Sequence, residues 1–141
     1  MTSETWIYLI IAVISWGLGS IFDKITLKYL DATSSFYGRT FVMLIFLVIL
    51  LSTRFSKTFF AIKNSPKSLI YLSLSVLVTM LGVFAYLKAM SYDEASRIVP
   101  LSSTYPLITF IVAVFFLGES FTISKFLGTI LVIMGIYFIS K

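Results

Sequence analysis

The stretch VPLSSTYPLITFIVAVFFLGES, residues 99–120, sets the problem of this chain. From Leu107 to Leu117 it is uncharged and almost wholly apolar. Its first half places Pro100 and Pro106 around Ser102, Ser103, Thr104 and Tyr105. Helix breakers and hydroxyls at the mouth of so apolar a segment make sense only once the solvent around it is known.

Composition identifies that solvent. Of 141 residues 59% are hydrophobic and 12% charged, and the mean hydropathy is +1.03. An ordinary soluble domain carries about 25% charge, so the chain reads as an integral membrane protein. A helix crossing the hydrocarbon needs about 20 largely apolar residues. Five segments approach that length, at 6–22, 36–52, 69–88, 98–117 and 121–139. Strands of an outer-membrane barrel would alternate apolar and polar residues, whereas VMLIFLVILL (42–51) and LVIMGIYFI (131–139) are solid apolar runs. The expected fold is therefore all-α, a bundle of five transmembrane helices forming one domain over 1–141. The connectors, near 23–35, 52–68 and 88–97 and at 118–120, leave no room for a soluble domain between them. The last is so short that spans four and five must form a tight antiparallel hairpin.

The N-terminus carries Glu4 and lacks the basic n-region of a cleavable signal, so the first span is expected to persist. With no Cys and no His, thiolate metal sites, disulfides and the usual general base near neutral pH are excluded. No metal or cofactor is expected. No Gly-rich phosphate loop or paired carboxylates at catalytic spacing occur inside a span, and an enzymatic function is not expected. The net charge of +5 forms no patch interleaved with aromatics of the kind that binds nucleic acid, and lipid headgroups are the simpler partner.

Short cytoplasmic loops are enriched in Lys and Arg. One side of the membrane would carry Arg54, Lys57, Lys63, Lys67 and Lys125, the other Lys24, Lys28, Arg39, Lys88, Arg97 and Lys141. Five against six gives almost no bias. The dense cluster RFSKTFFAIKNSPK (54–67) tips the balance toward an N-terminus inside, and insertion in both orientations is compatible with the near equality.

Polar atoms inside hydrocarbon need partners and often mark interfaces or pathways. In span three Tyr71, Ser75, Thr79, Gly82 and Tyr86 recur at steps of three and four and fall on one face. In span one Ala12, Trp16, Gly19, Ser20 and Asp23 share a face by the same arithmetic. Trp16 sits at mid-depth, away from the interface that Trp favours. In span four Ser102, Pro106 and Thr109 share a face, and Pro106 is expected to bend the helix and free a carbonyl near Ser102. For each stripe two readings stand: close helix packing or back-bonded structure on one side, lining of a substrate pathway on the other. Ser124, Gly128 and Gly135 in span five read as a small-residue face for helix packing or a dimer interface. Arg39 and Lys88 lie at span edges, where they snorkel, pair with Asp23, or attract an anionic group of a solute.

Taken in order, SWGLGSIFDKITLK (15–28), a second span opening with Arg39, FAYLKAMSYDEASRIVPLSSTYPLITFIVAVFFLGE (84–119) and SKFLGTILVIMGIYF (124–138) resemble a single five-helix EamA-type repeat of the drug/metabolite transporter superfamily. The resemblance implies a transporter of small organic solutes or metabolites, such as amino acids or amphipathic and cationic compounds, in the cytoplasmic (inner) membrane of a prokaryote. Most members carry two such repeats. An odd number of spans inverts the second, which builds the pseudo-symmetry of alternating-access transporters. One repeat then requires an oppositely oriented partner, either a second copy in an antiparallel homodimer or a paralogous chain in a heterodimer. Four-helix multidrug members of the superfamily rely on a Glu within their first span. Here every carboxylate lies at a span end or in a loop, which favours facilitated diffusion or exchange over proton coupling. The rival from another class is a non-transporting membrane subunit or scaffold that assembles with a larger partner.

Overall fold

A computed structural model describes residues 2–139; Lys141, counted above among the cations, lies outside them. The fold is all-α, with no strand among the described residues: α1 (Ser3–Thr26), α2 (Ala32–Asn64), α3 (Pro66–Tyr92), α4 (Ala95–Ser102), α5 (Tyr105–Phe116) and α6 (Ile123–Ile139). Four stretches are long and apolar enough to cross a bilayer: α1, α2, α3, and α4 with α5 taken together over Ala95–Phe116. The 17 residues of α6 reach about 25 Å at 1.5 Å per residue. This is the all-α membrane architecture that the solid apolar runs predict.

Helix boundaries follow local chemistry. Thr2 caps α1 by accepting the Thr5 amide hydrogen bond at 3.3 Å. Asp31 caps α2, accepting from the Ser34 amide at 2.8 Å and the Ser34 hydroxyl at 2.7 Å. These two bonds, the amide first, hold the Asp31 carboxyl below its usual range. The stretch 52–64, expected as part of a connector, is instead the continuation of α2. Polarity does not end a helix. No Gly or Pro occurs between Gly38 and Pro66, and α2 stops where the residue before Pro66 is forced out of the α region, Ser65 adopting φ −137° and ψ 71°.

The described residues form two compact units, 2–91 and 92–139. In the first, the buried residues Ser20, Ala32, Ser35, Leu87 and Met90 come from the last turns of α1, the first turns of α2 and the last turns of α3. Their spacing of three on α2 and on α3 is that of one inward helix face. Phe36 meets Phe84 edge to face at 5.4 Å between ring centroids. Beyond this knot the apolar side chains of α1, α2 and α3 are exposed, Val13, Leu50 and Leu77 among them, as hydrocarbon-facing residues are.

In the second unit α4 packs on α6. Ala113 and Ile136 are buried, and Phe121 tilts against both Phe110 and Phe126 at 5.9 and 5.8 Å. The link between α5 and α6 occupies 117–122, longer than the expected 118–120. It turns at Gly118, whose φ of +67° only glycine adopts without strain, and the Glu119 amide returns to the Ala113 carbonyl at 3.1 Å.

Candidate functional site

The polar residues of the first unit gather where its three helices meet. Arg39 at the start of α2 forms an ion pair with Asp23 at the end of α1, the pairing that the sequence offers as one role for Arg39. The Asp23 side chain retains 18% of its exposure, so the carboxylate is largely withdrawn into the bundle. Lys24 donates from Nζ to the Met90 carbonyl at 2.8 Å, tying α1 to α3 and satisfying a carbonyl of the last turn of α3. The Ser20 hydroxyl donates to the Gly17 carbonyl at 2.7 Å, and the Tyr86 phenol faces Ser20 within the field of Asp23 and Arg39. Ser20, Asp23, Arg39 and Tyr86 thus form one polar cluster. Lys88 is exposed and adds a positive field at Asp31.

Sequence reasoning missed two members of this region. Lys24 reads in the sequence only as a charge, because nothing there says which helix its ammonium meets. Ser35 is buried with an unpartnered hydroxyl among the described residues, and its only signal is the three-residue step from Ala32 along the inward face.

The stripe on α3 divides. Tyr86 turns inward, whereas Tyr71, Ser75, Thr79 and Gly82 are exposed. Neither Ser75 nor Thr79 makes a side-chain hydrogen bond among the described residues, although Thr26, Thr40 and Thr129, also on helices, bond back to their own carbonyls at 2.8–2.9 Å. Trp16 on α1 is 69% exposed, while Ala12 and Gly19 on the same expected face are half-buried.

In the second unit the break falls between Ser102 and Tyr105, and Pro106 stands in the first turn of α5 rather than inside a bent helix. A proline there forfeits no hydrogen bond, since the first amides of a helix have no intrahelical partner. The hydroxyls knit the break together. Ser102 and Ser103 both donate to the Val99 carbonyl at 2.8 and 2.9 Å, and Thr104 donates to the Leu101 carbonyl at 2.9 Å. Thr109 donates to the Tyr105 carbonyl at 3.2 Å. Pro106 lines a cleft of about 320 Å³ with Phe110, Ser124, Lys125, Gly128 and Thr129, bringing together residues that the sequence assigns to a pathway and to a packing face. Ser102, Thr109 and Gly135 are not among its lining residues. A Cβ added at Gly128 or at Gly135 would meet nothing within 4 Å. Lys125 donates to the Ser120 carbonyl at 3.3 Å and lies 3.9 Å from the Glu119 carboxylate.

No cluster of potential metal ligands occurs among the described residues. What the geometry offers is helices with polar groups inside the membrane thickness, some satisfied and some open to a neighbour.

The family model of EamA-like transporters matches residues 4–141. The chain is similar to the uncharacterized protein MJ1333.1 of Methanocaldococcus jannaschii, 30% identical over 131 residues that cover 93% of this chain and 92% of that protein. It is also similar to the uncharacterized transporter YvbV of Bacillus subtilis, 28% identical over 126 residues that cover 89% of this chain and 41% of that longer protein. No solved structure gives a significant match. Matched from Glu4 onward by one family and built of the apolar helices that its membrane setting demands, the chain belongs to the EamA-like transporter family.

Proposed function

We propose that the chain supplies one half of a transport pathway for small organic solutes, two units of opposite orientation assembling in a prokaryotic cytoplasmic membrane and working by alternating access. The observation that carries this reading is the face of α3. Ser75 and Thr79 present hydroxyls at mid-span with no partner among the described residues, flanked by Tyr71 and Tyr86. In hydrocarbon such groups seek water, solute or a second polypeptide. From Tyr71 to Gly82 the open part of the stripe extends about 16 Å, about half of the roughly 30 Å hydrocarbon thickness, with Tyr86 turned inward at its end. Trp16 and Ser20 are proposed as further lining on α1, and Ser102, Pro106 and Thr109 as a second polar stretch at the break between α4 and α5.

Pairing is supported by the relatives. The chain aligns with nearly all of MJ1333.1 but with less than half of YvbV, as one structural unit would against a protein of two. The open notches at Gly128 and Gly135 suit close approach by another helix. The partner is a second copy or a paralogous unit. Asp23 is spoken for by Arg39, so exchange or facilitated diffusion suits this lining better than proton coupling.

The test is solute flux into liposomes containing the purified protein, across a panel of amino acids and cationic metabolites. The expected result is saturable uptake of at least one class, abolished in Thr79→Leu with insertion and assembly unchanged. Absence of flux across the panel, with Thr79→Leu and Ser102→Leu altering assembly alone, would instead mark a non-transporting subunit.

A further inference from the structure

Between Asp31 and Asp93 the chain has no acidic residue, yet Arg54, Lys57, Lys63 and Lys67 lie in this interval around the turn that joins α2 to α3. All four belong to α2 or α3, and three fall in 52–64, where α2 runs on beyond its apolar run. The 33 residues of α2 measure about 50 Å at 1.5 Å per residue, against roughly 30 Å of hydrocarbon. The surplus must go somewhere.

The pairing of α2 with α3 says where. Phe36 touches Phe84, and the two helices meet again at Ser65. Between those points α2 advances from position 36 to 64, about 42 Å, and α3 from 66 to 84, about 27 Å. α2 and α3 touch near Phe36 and Phe84 but do not pack along their length, and two straight helices joined at Ser65 would part by about 15 Å at that contact, more than the roughly 8–10 Å between packed helix axes. Ser52 and Thr53 donate their hydroxyls to the Ile49 and Leu50 carbonyls at 2.7 Å each, a bonding pattern that bends helices, and they stand where the apolar run ends. The apolar run of α3 begins at Leu69, three residues past Pro66, so the turn itself must lie close to the hydrocarbon boundary.

Within 52–64, Phe55, Phe59 and Ile62 recur at steps of four and three on one face, and Phe55 stacks on Phe59 at 6.0 Å. Arg54, Lys57 and Ala61 share another face by the same spacing. We propose that 52–64 leaves the membrane normal at Ser52 and lies in the interface as an amphipathic arm that binds anionic phospholipid headgroups. The Phe55 face is sunk toward the acyl chains, Arg54 and Lys57 reach the phosphates from the opposite face, and Lys63, on the flank of the apolar face beside Phe59, snorkels to them. With no carboxylate on α2 or α3 to neutralise them, these cations are free to hold lipid.

The test uses the full chain in vesicles and exploits its lack of cysteine. A fluorophore is attached at Ile62→Cys or at Ala61→Cys and quenched either by a neutral water-soluble agent or by spin-labelled phosphatidylglycerol or phosphatidylcholine. The expected result is lipid quenching at Ile62→Cys, aqueous quenching at Ala61→Cys, and stronger quenching by phosphatidylglycerol than by phosphatidylcholine. Enrichment should be roughly fivefold per retained cation and lost in the Arg54→Ala, Lys57→Ala, Lys63→Ala triple variant. Equal aqueous quenching at both sites would show a helix standing clear of the bilayer and overturn the interfacial arm. Equal quenching by the two lipids would overturn its preference for anionic headgroups.

Discussion

Arg39 and Asp23 illustrate what one ion pair does at the rim of a membrane bundle. The pair joins the last turn of α1 to the third turn of α2. The guanidinium side chain is 44% exposed, so solvent screens it and the interaction is expected to be modest. A double-mutant cycle with Asp23→Ala and Arg39→Ala should give a coupling of about 0.5–1 kcal/mol in thermal unfolding, with each single variant less stable than the parent. Asp31 makes a separate prediction. Its carboxyl is held below the value of 3.8 that it has unfolded, so its capping stabilises α2 fully above that value and fades as pH falls through the lower folded value. Asp31→Asn keeps an acceptor for the Ser34 amide and should melt near the parent at neutral pH but without this acid dependence, whereas Asp31→Ala should melt lower. Melting curves of the three proteins between pH 3 and 7 check both statements.

Turns and breaks decide the elements more than hydropathy does. Gly118 is the one left-handed position among the described residues, and its open surroundings mean that Gly118→Ala meets only the backbone penalty, about 1–2 kcal/mol, readable as a lowered melting temperature. Pro106→Ala should cost much less, about 0.4–1 kcal/mol, because the ring occupies a first turn and bends nothing. A mid-helix proline would instead have gained stability on removal. The same two sites show what was legible in the sequence. Apolar run length locates the centre of each span, since burial in lipid leaves no other option for such stretches. It misplaces the end of α2, because Arg54, Lys57 and Lys63 are good helix formers that water or headgroups can solvate, and only Pro66 stops the helix. The prolines around Ser102 lead to the expectation of a helix bent at Pro106, whereas one helix ends at Ser102 and the next starts at Tyr105, because whether Pro106 bends a helix or starts one depends on Thr104 and Tyr105, whose backbone the sequence does not specify. On α3 the periodicity identifies a polar face, while the partner that each residue meets depends on tertiary packing: Tyr86 turned to Ser20 and Thr79 left open have the same pattern.

For the whole molecule the central issue is what covers the exposed face of α3. Near-equal numbers of cations on the two sides leave orientation weakly specified, and paired reporters fused after Lys141, one active only inside and one only outside the cell, should both give signal if the unit pairs with an inverted copy. A single active reporter would point to a paralogous partner of fixed opposite orientation. Neither outcome reports on the pathway itself. The direct measurement is the reactivity of single cysteines in the assembled protein toward a small water-soluble thiol reagent. Ser75→Cys and Thr79→Cys should react well above Leu77→Cys, which lies on the opposite side of α3. All three reacting at the same slow rate would mean that the hydroxyl stripe faces lipid or a dry interface, contradicting a solute pathway along α3.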